Sequence, residues 1–235
     1  THPSHMHSRI SSAFKIMNNI VTSDLEGTLS AGNTWRILGE FVQAHGRKGE
    51  YQRFFYARMP KVILSKMGLM NGQKMREDWF VDMTRMLAGF NAEKISEVMD
   101  FIVDELWQMR RPDVVAELQK HVADGRRVVV VSGTYQMAAE RFAARFGAEG
   151  IGTPLETDAQ GLATGKLIGQ LNTGEQKVLS IRQKLGVDAL FAAYGDTEGD
   201  IPMLSIAQNA VAAYPNKLLA EVARAKGWRI MKSEA

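Results

Sequence analysis

Short apolar runs separated by stretches of helical periodicity set the first expectation for this chain. Runs at 127–131 (RVVVV) and 190–194 (LFAAY) are apolar on both faces, and a weaker one covers 16–23. Segments 209–214 (NAVAAY) and 228–231 (WRIM) supply a fourth and a fifth. Strands buried on both faces belong to parallel sheets covered by helices. Between them, apolar residues recur at helical spacing over 112–123, 136–146, 174–185, 202–207 and 217–225. Pro112 followed by Asp113 suits a helix start, and Gly125 and Gly186 suit the positions just past a helix end. The alternation predicts an open α/β sheet with right-handed crossovers.

Residues 33–110 interrupt that pattern. They are rich in Met, Arg, Lys and aromatics and hold no convincing strand, which predicts an all-helical insertion after the first strand. The expected division is therefore an α/β core formed by 13–32 and 111–235, with a helical cap at 33–110. Small and polar residues alternate around Gly161 in 153–169, which predicts a hairpin. The first dozen residues hold three of the five histidines, and SHM at 4–6 reads as an expression-tag remnant. Residues 1–12 are set aside from the functional argument.

Composition narrows the classes. The 235 residues contain no cysteine, so disulfides, thiolate metal sites and a cysteine nucleophile are excluded. A formal charge of +3 is too small for this size to announce nucleic acid binding. No apolar run approaches the roughly 18 residues of a membrane span. No targeting segment is recognisable, so the cytoplasm is the expected compartment.

Candidate chemistry lies where the predicted strands end, which is where an open α/β sheet binds its ligand. In SDLEGTLS (23–30), Asp24 falls at the carboxyl end of the first strand, and Glu26 lies two residues on, on the same side of an extended chain. Alone, this reads as readily as a strand end with capping acids. In VVVVSGT (128–134), Ser132, Gly133 and Thr134 put a hydroxyl and backbone N–H groups at an expected helix N-terminus, a natural phosphate site or a plain N-cap. In YGDTEGDIPM (194–203), Asp196 and Asp200 follow an apolar strand and precede Pro202. With Asp24 they make an all-oxygen set of the kind that selects Mg²⁺. Lys177, in TGEQKVLSI, is able to offset those carboxylates and a phosphate, and Lys184 is its rival.

In this order and at these positions the four elements resemble the haloacid dehalogenase superfamily, in its phosphoserine-phosphatase-like branch with a helical cap after the first motif. The resemblance runs from about residue 16 to 232, and GLATGKL (161–167) is similar to that branch's hairpin. It implies a Rossmann-like doubly wound parallel sheet and an Mg²⁺-dependent phosphatase of small phosphorylated metabolites, with neither nucleic acid nor membrane as partner and no oligomeric state specified. It further implies Asp24 as nucleophile and metal ligand, with the backbone carbonyl of Glu26 a further ligand. Asp196 would bind the metal, Asp200 would sit in its shell, and Ser132, Gly133, Thr134 and Lys177 would hold the phosphate. Glu26 would serve as general acid and base.

Two positions depart from the branch. The acid two residues after the nucleophile is usually Asp, and here it is Glu26, as in a phosphoserine–homoserine phosphotransferase of the same branch. Gly199 stands where phosphoserine phosphatases usually have Asn, which counts against phosphoserine itself. The alternatives are transfer to an alcohol acceptor or a silent binding protein on the same scaffold; a receiver module is too short and has no cap. Within 47–76, Arg47, Lys48, Arg53, Arg58, Lys61, Lys66, Lys74 and Arg76 face only Glu50, a solvated basic face or a funnel for phosphorylated anions. Contact with anionic lipid is conceivable, but no amphipathic segment makes that case. Trp35, Trp79, Trp107, Phe54, Phe55 and Tyr56 are expected in the cap core.

Overall fold

In the computed structural model, which describes residues 19–67 and 72–232, every expected apolar run becomes a strand of one parallel sheet. These strands are β1 (Ile20–Ser23), β2 (Arg127–Tyr135), β6 (Leu190–Gly195), β7 (Ala207–Ala213) and β8 (Arg229–Met231). Residues 16–18 of the first run lie outside the described residues, as does the excluded 1–12 segment. The side chains of β2 alternate between two apolar clusters. Val128 and Val130 enter one, Val129 and Val131 the other, as the two-residue period of a strand buried on both faces requires.

A sixth strand, β3 (Glu149–Thr153), was not foreseen, because EGIGT carries one large apolar residue. Its glycines answer to packing. A Cβ on Gly150 would lie 2.4 Å from the backbone of Ala139 and Glu140, and one on Gly152 would lie 2.7 Å from the Thr134 carbonyl oxygen. The strand order is β3-β2-β1-β6-β7-β8, with the expected hairpin formed apart from it by β4 (Leu155–Thr157) and β5 (Ala163–Leu167).

Between β1 and β2 run four helices, α1 (Thr34–Val42), α2 (Lys48–Lys66), α3 (Gly72–Thr84) and α4 (Ala92–Gln108), and then α5 (Pro112–Ala123). The chain leaves the sheet and returns to it side by side. Ala31 N–H donates to Met109 O at 2.9 Å, and Arg111 N–H donates to Leu29 O at 2.8 Å. Along α4, Ile95, Val98, Met99, Ile102, Val103 and Leu106 bury one helical face. That helix packs on α6 (Gln136–Ala144), where the Trp107 and Phe142 rings stand 5.3 Å apart and Arg141 Nη1 lies 2.7 Å from Asp100 Oδ1. Helices α1, α3 and α4 thus share one apolar cluster with β1, β2 and α6.

The later helices are α7 (Glu175–Leu185), α8 (Ile201–Ser205) and α9 (Lys217–Lys226). Just past α5 and α7, Gly125 and Gly186 take the left-handed φ of 75° and 69° expected of them. The helix expected at 202–207 is shorter because β7 has already begun at Ala207. Among the cap aromatics, Phe54 and Phe55 stand edge-on to buried Trp79, with centroids 5.2 and 5.9 Å away. Tyr56 does not join that core and is 70% exposed, because it lies on the opposite face of α2. Among the described residues no helix is long and apolar enough to cross a membrane.

Candidate active site

Strands follow outward from β1 on one side (β2, β3) and from β6 on the other (β7, β8), so the chain direction switches between β1 and β6. A crevice opens at such a point beyond the carboxyl ends of the strands. Asp24 stands directly after β1, its N–H bonded to Tyr194 O at 2.9 Å, and Asp196 directly after β6. The turn that follows Asp24 needs glycine twice over. Gly27 has φ 92°, and a Cβ there would sit 2.0 Å from Asp196 Oδ2. Gly195 is similarly constrained, since its Cβ would meet that of Asp200 at 2.4 Å.

Lys177 lies in the first turn of α7 and is buried at 3% exposure. Its ammonium bridges Asp24 Oδ1 at 2.5 Å and Asp200 Oδ1 at 2.6 Å. Lys184, two turns on, points away and donates to Gln136 Oε1 at 3.2 Å. Asp200 is saturated: its other oxygen accepts the backbone N–H groups of Asp196 and Thr197, each at 3.1 Å. Asp196 accepts from Thr28 Oγ1 at 3.1 Å. Carboxylate oxygens of Asp24, Asp196 and Asp200 all lie within 4.8 Å of one another.

Crowding that many acids away from water shifts their titration. Burial pushes the Asp24 carboxyl up to about 6, with Lys177 opposing and Asp200 adding to the rise. Asp196 is pushed up to about 8, first by burial and then by the charges of Asp24 and Asp200. Burial works against the charge of Lys177, but Asp200 and Asp24 outweigh it and hold the ammonium well above its ordinary value. One cation among three clustered carboxylates leaves a site short of positive charge.

The Glu26 side chain is held apart from that cluster. Its carboxylate accepts a short hydrogen bond from Thr34 Oγ1, and the Thr34 and Thr134 hydroxyls lie 2.8 Å apart. Since Thr34 gives its proton to Glu26, Thr134 is the donor to Thr34. Burial lifts Glu26 to about 7 against the pull of the Thr34 bond.

Ser132, Gly133 and Thr134 are not at a helix N-terminus as expected. β2 continues through them to Tyr135, with a register irregularity after Val131, and α6 starts only at Gln136. Their carbonyls are tied down from outside the site. Asn172 Nδ2 donates to Ser132 O at 3.2 Å, and Thr153 Oγ1 donates to Gly133 O at 3.1 Å. In a planar trans peptide the following N–H points the opposite way from such a carbonyl.

All eight residues singled out in the sequence (Asp24, Glu26, Ser132, Gly133, Thr134, Lys177, Asp196 and Asp200) line one cavity of about 240 Å³. Trp35, expected in the cap core, and Arg76, from the basic stretch, also line it, as do Glu77, Phe80 and Thr173, which no sequence pattern had marked. Glu77 on α3 accepts from Thr173 Oγ1 at 2.8 Å, which ties the helical segment to the loop before α7. Thr34, at the first position of α1, was likewise missed.

Sheet and site together define an aspartate-centred α/β enzyme with its polar groups at the switch point of a parallel sheet. The chain belongs to the haloacid dehalogenase-like hydrolases, whose family profile matches residues 21–205. It is 35% identical over 138 residues to the phosphoserine phosphatase SerB1 of Mycobacterium tuberculosis, an alignment that covers 56% of this chain and 42% of SerB1. The chain therefore spans less than half the length of that curated relative. Among solved structures, a Bordetella pertussis protein of unknown function superposes with a TM-score of 0.74 at 22% identity, covering 91% of this chain and 97% of that one. A substrate-bound phosphoserine phosphatase superposes at 0.60 with 17% identity, covering 91% and 92%. These superpositions establish a shared fold.

Proposed function

We propose that this chain is an Mg²⁺-dependent phosphomonoesterase of a small phosphorylated metabolite, working through an aspartyl-phosphate on Asp24. The observation that carries the reading is the cluster of three carboxylates and one ammonium on the wall of the crevice at the carboxyl edge of the sheet. The similarity to SerB1 supports the phosphate ester as substrate. Hard oxygen donors within 4.8 Å of one another, one of them reluctant to ionise beside the others, fit a small divalent cation. Asp24, Asp196 and the backbone carbonyl of Glu26 would hold it, with Asp200 in its shell. Bound there, Mg²⁺ supplies charge neutralisation that lets a phosphate approach a carboxylate.

The chain's own groups then divide the work. Asp24 presents a carboxylate oxygen to phosphorus, and the ester oxygen leaves as the new acyl-phosphate bond forms. Glu26 gives its proton to the leaving oxygen and takes one from the water that later cleaves the intermediate. Lys177, Ser132 and the N–H groups of Gly133 and Thr134 complement the oxygens of the transferred group. Asp200 orients Lys177.

A second reading, transfer to an alcohol, is favoured by one observation. Glu26 carries an extra methylene and is bonded to Thr34, so its reach toward an attacking water differs from that of the usual aspartate. Phosphate release from aryl phosphate and from a panel of phosphorylated metabolites, with Mg²⁺ and with chelator, tests the main reading. No Mg²⁺-dependent release from any of them would overturn it. A rise in turnover with added amino alcohols, with phosphorylated alcohol as product, would select the second.

A further inference from the structure

The stretch proposed to cradle phosphate pivots on a glycine. Ser132, Gly133 and Thr134 line the cavity, and a Cβ on Gly133 would stand 2.8 Å from Thr173 Cγ2, so the loop before α7 packs flat against it. Glycine restrains its own backbone less than any other residue, so the peptide planes on its two sides need restraint from elsewhere. Each plane carries one N–H of the cradle, that of Gly133 in the first and that of Thr134 in the second.

Both planes are held by their carbonyls, and both bonds come from outside the cavity. Asn172 is 2% exposed, and its Nδ2 donates to Ser132 O and to Ile151 O of β3, each at 3.2 Å. Two carbonyl acceptors settle which way the amide lies, because the reversed amide would set oxygen against oxygen. Its Oδ1 is left buried with no partner among the described residues. An unmet buried acceptor is destabilising, so an apolar side chain would serve packing better, and the amide is there for its two donor bonds. Thr153, fully buried at the end of β3, donates its hydroxyl to Gly133 O at 3.1 Å. The same hydroxyl oxygen accepts Asn172 N–H at 3.1 Å, which ties the two clamps together. On the cavity side, Thr134 N–H donates to Ser132 Oγ at 3.3 Å, so amide and hydroxyl face each other there.

We propose that Asn172 and Thr153 are positioning residues of the phosphate site: Asn172 sets the plane that aims Gly133 N–H, and Thr153 the plane that aims Thr134 N–H. Neither residue lines the cavity, so each acts only through a carbonyl of β2. The proposal rests on the reading of this cavity as a phosphate site and adds the groups that fix its geometry.

The test uses the full chain with Mg²⁺, inorganic phosphate as the probe and an aryl phosphate as substrate. Thr153→Val keeps the shape and deletes the hydroxyl; Asn172→Leu keeps the bulk and deletes both side-chain donors. In the wild type the backbone amide resonances of Gly133 and Thr134 should both shift as phosphate is added. Thr153→Val should suppress the Thr134 shift and largely spare that of Gly133, and Asn172→Leu should do the reverse. In each, kcat should fall at least about tenfold, while Mg²⁺ affinity without phosphate stays within about twofold of wild type. Thr153→Ser restores the hydroxyl and should recover most of the loss. Asn172→Ala, smaller and equally without donors, stands in where leucine does not pack. An active wild type whose Val and Leu variants keep kcat and both amide shifts within about twofold, whatever their melting temperatures, overturns the proposal and leaves the phosphate reading intact. So does a parallel loss of Mg²⁺ affinity, which marks general distortion, or no recovery in Thr153→Ser. A wild type with neither hydrolysis nor phosphate-dependent amide shifts overturns both.

Discussion

The carboxyl edge of the sheet and the helical segment above it are built to different tolerances. At the edge, each acid has assigned partners: Lys177 bridges two carboxylates, backbone amides saturate Asp200, and two glycines exist because a methyl group would strike an aspartate. In the helical segment, cavity-lining Arg76 is exposed, and a row of aliphatic side chains on α2 faces water. Over-determined geometry belongs with chemistry that tolerates little displacement, since small misplacements cost large rate factors. Looser geometry belongs with recognition, which varies with the partner. The contrast predicts that substitutions at the edge act on turnover and metal, and those in the helices on affinity.

Asp24→Asn should give the largest effect. The amide keeps shape and one oxygen but removes the nucleophilic charge, and turnover should fall by at least about a thousandfold. Steady-state phosphate release with excess Mg²⁺ measures it; a loss below about tenfold would remove Asp24 from the centre of the site.

Lys177→Met comes next and is read in stability. Removing the ammonium leaves buried carboxylates uncompensated, which costs about 3 kcal/mol in comparable buried pairs. Urea unfolding of the metal-free variant should show that loss, and millimolar Mg²⁺ should recover part of it, because a ligand bound only to the folded state stabilises it. Arg53→Ala, in the helical segment, should do neither.

Acidity sharpens the comparison further. Without metal, Asp196 holds its proton up to about 8 in the folded chain against 3.8 in the unfolded one. Its contribution to stability is complete below pH 3.8 and is lost as pH rises through about 8. Mg²⁺ requires the carboxylate, so its affinity should run the other way and strengthen between pH 6 and 8, by up to about a hundredfold. Calorimetry in buffers of different ionisation enthalpy should detect protons released on binding at pH 7. A flat affinity across that range would mean the acids are already ionised.

The two regions also differed in how far the sequence disclosed them. Asp196 was legible because an apolar run followed by Gly-Asp leaves few other uses for a carboxylate, and Asp24, ambiguous alone, became legible beside it. β3 was illegible because EGIGT is shaped by the backbone of α6 lying against it, not by its own side-chain pattern. The reach of β2 through Ser132 to Tyr135 was hidden for a related reason: bonds from Asn172 and Thr153, distant in sequence, hold that segment extended. On α2, composition and the lack of strand character pointed to a helix but not to which face the core would take, so Tyr56 was misplaced beside Phe54 and Phe55. Local pattern carries elements and their ends; contacts between elements carry the rest.

Thr34 joins the two regions and should give the smallest of these effects. It opens the first helix of the insertion, yet its hydroxyl donates to Glu26 and stands 2.8 Å from that of Thr134 on β2. Thr34 and Thr134 are buried, and the half-buried Glu26 carboxylate is aimed by both the hydroxyl and the backbone N–H of Thr34. Thr34→Val keeps the shape and deletes the hydroxyl donor, leaving Glu26 held by the backbone N–H of residue 34 alone and the Thr134 hydroxyl without its acceptor. Turnover should fall about tenfold, the cost of a modest error in aim, while KM changes little because Thr34 lies behind the acid. Thr34→Ser restores the hydroxyl and should recover most of the rate. A rise in KM with unchanged kcat would instead make Thr34 part of recognition and move the boundary between the two regions to the wrong side of α1. Equal loss in the Ser and Val variants would mean the methyl group, and hence packing of α1, is what matters.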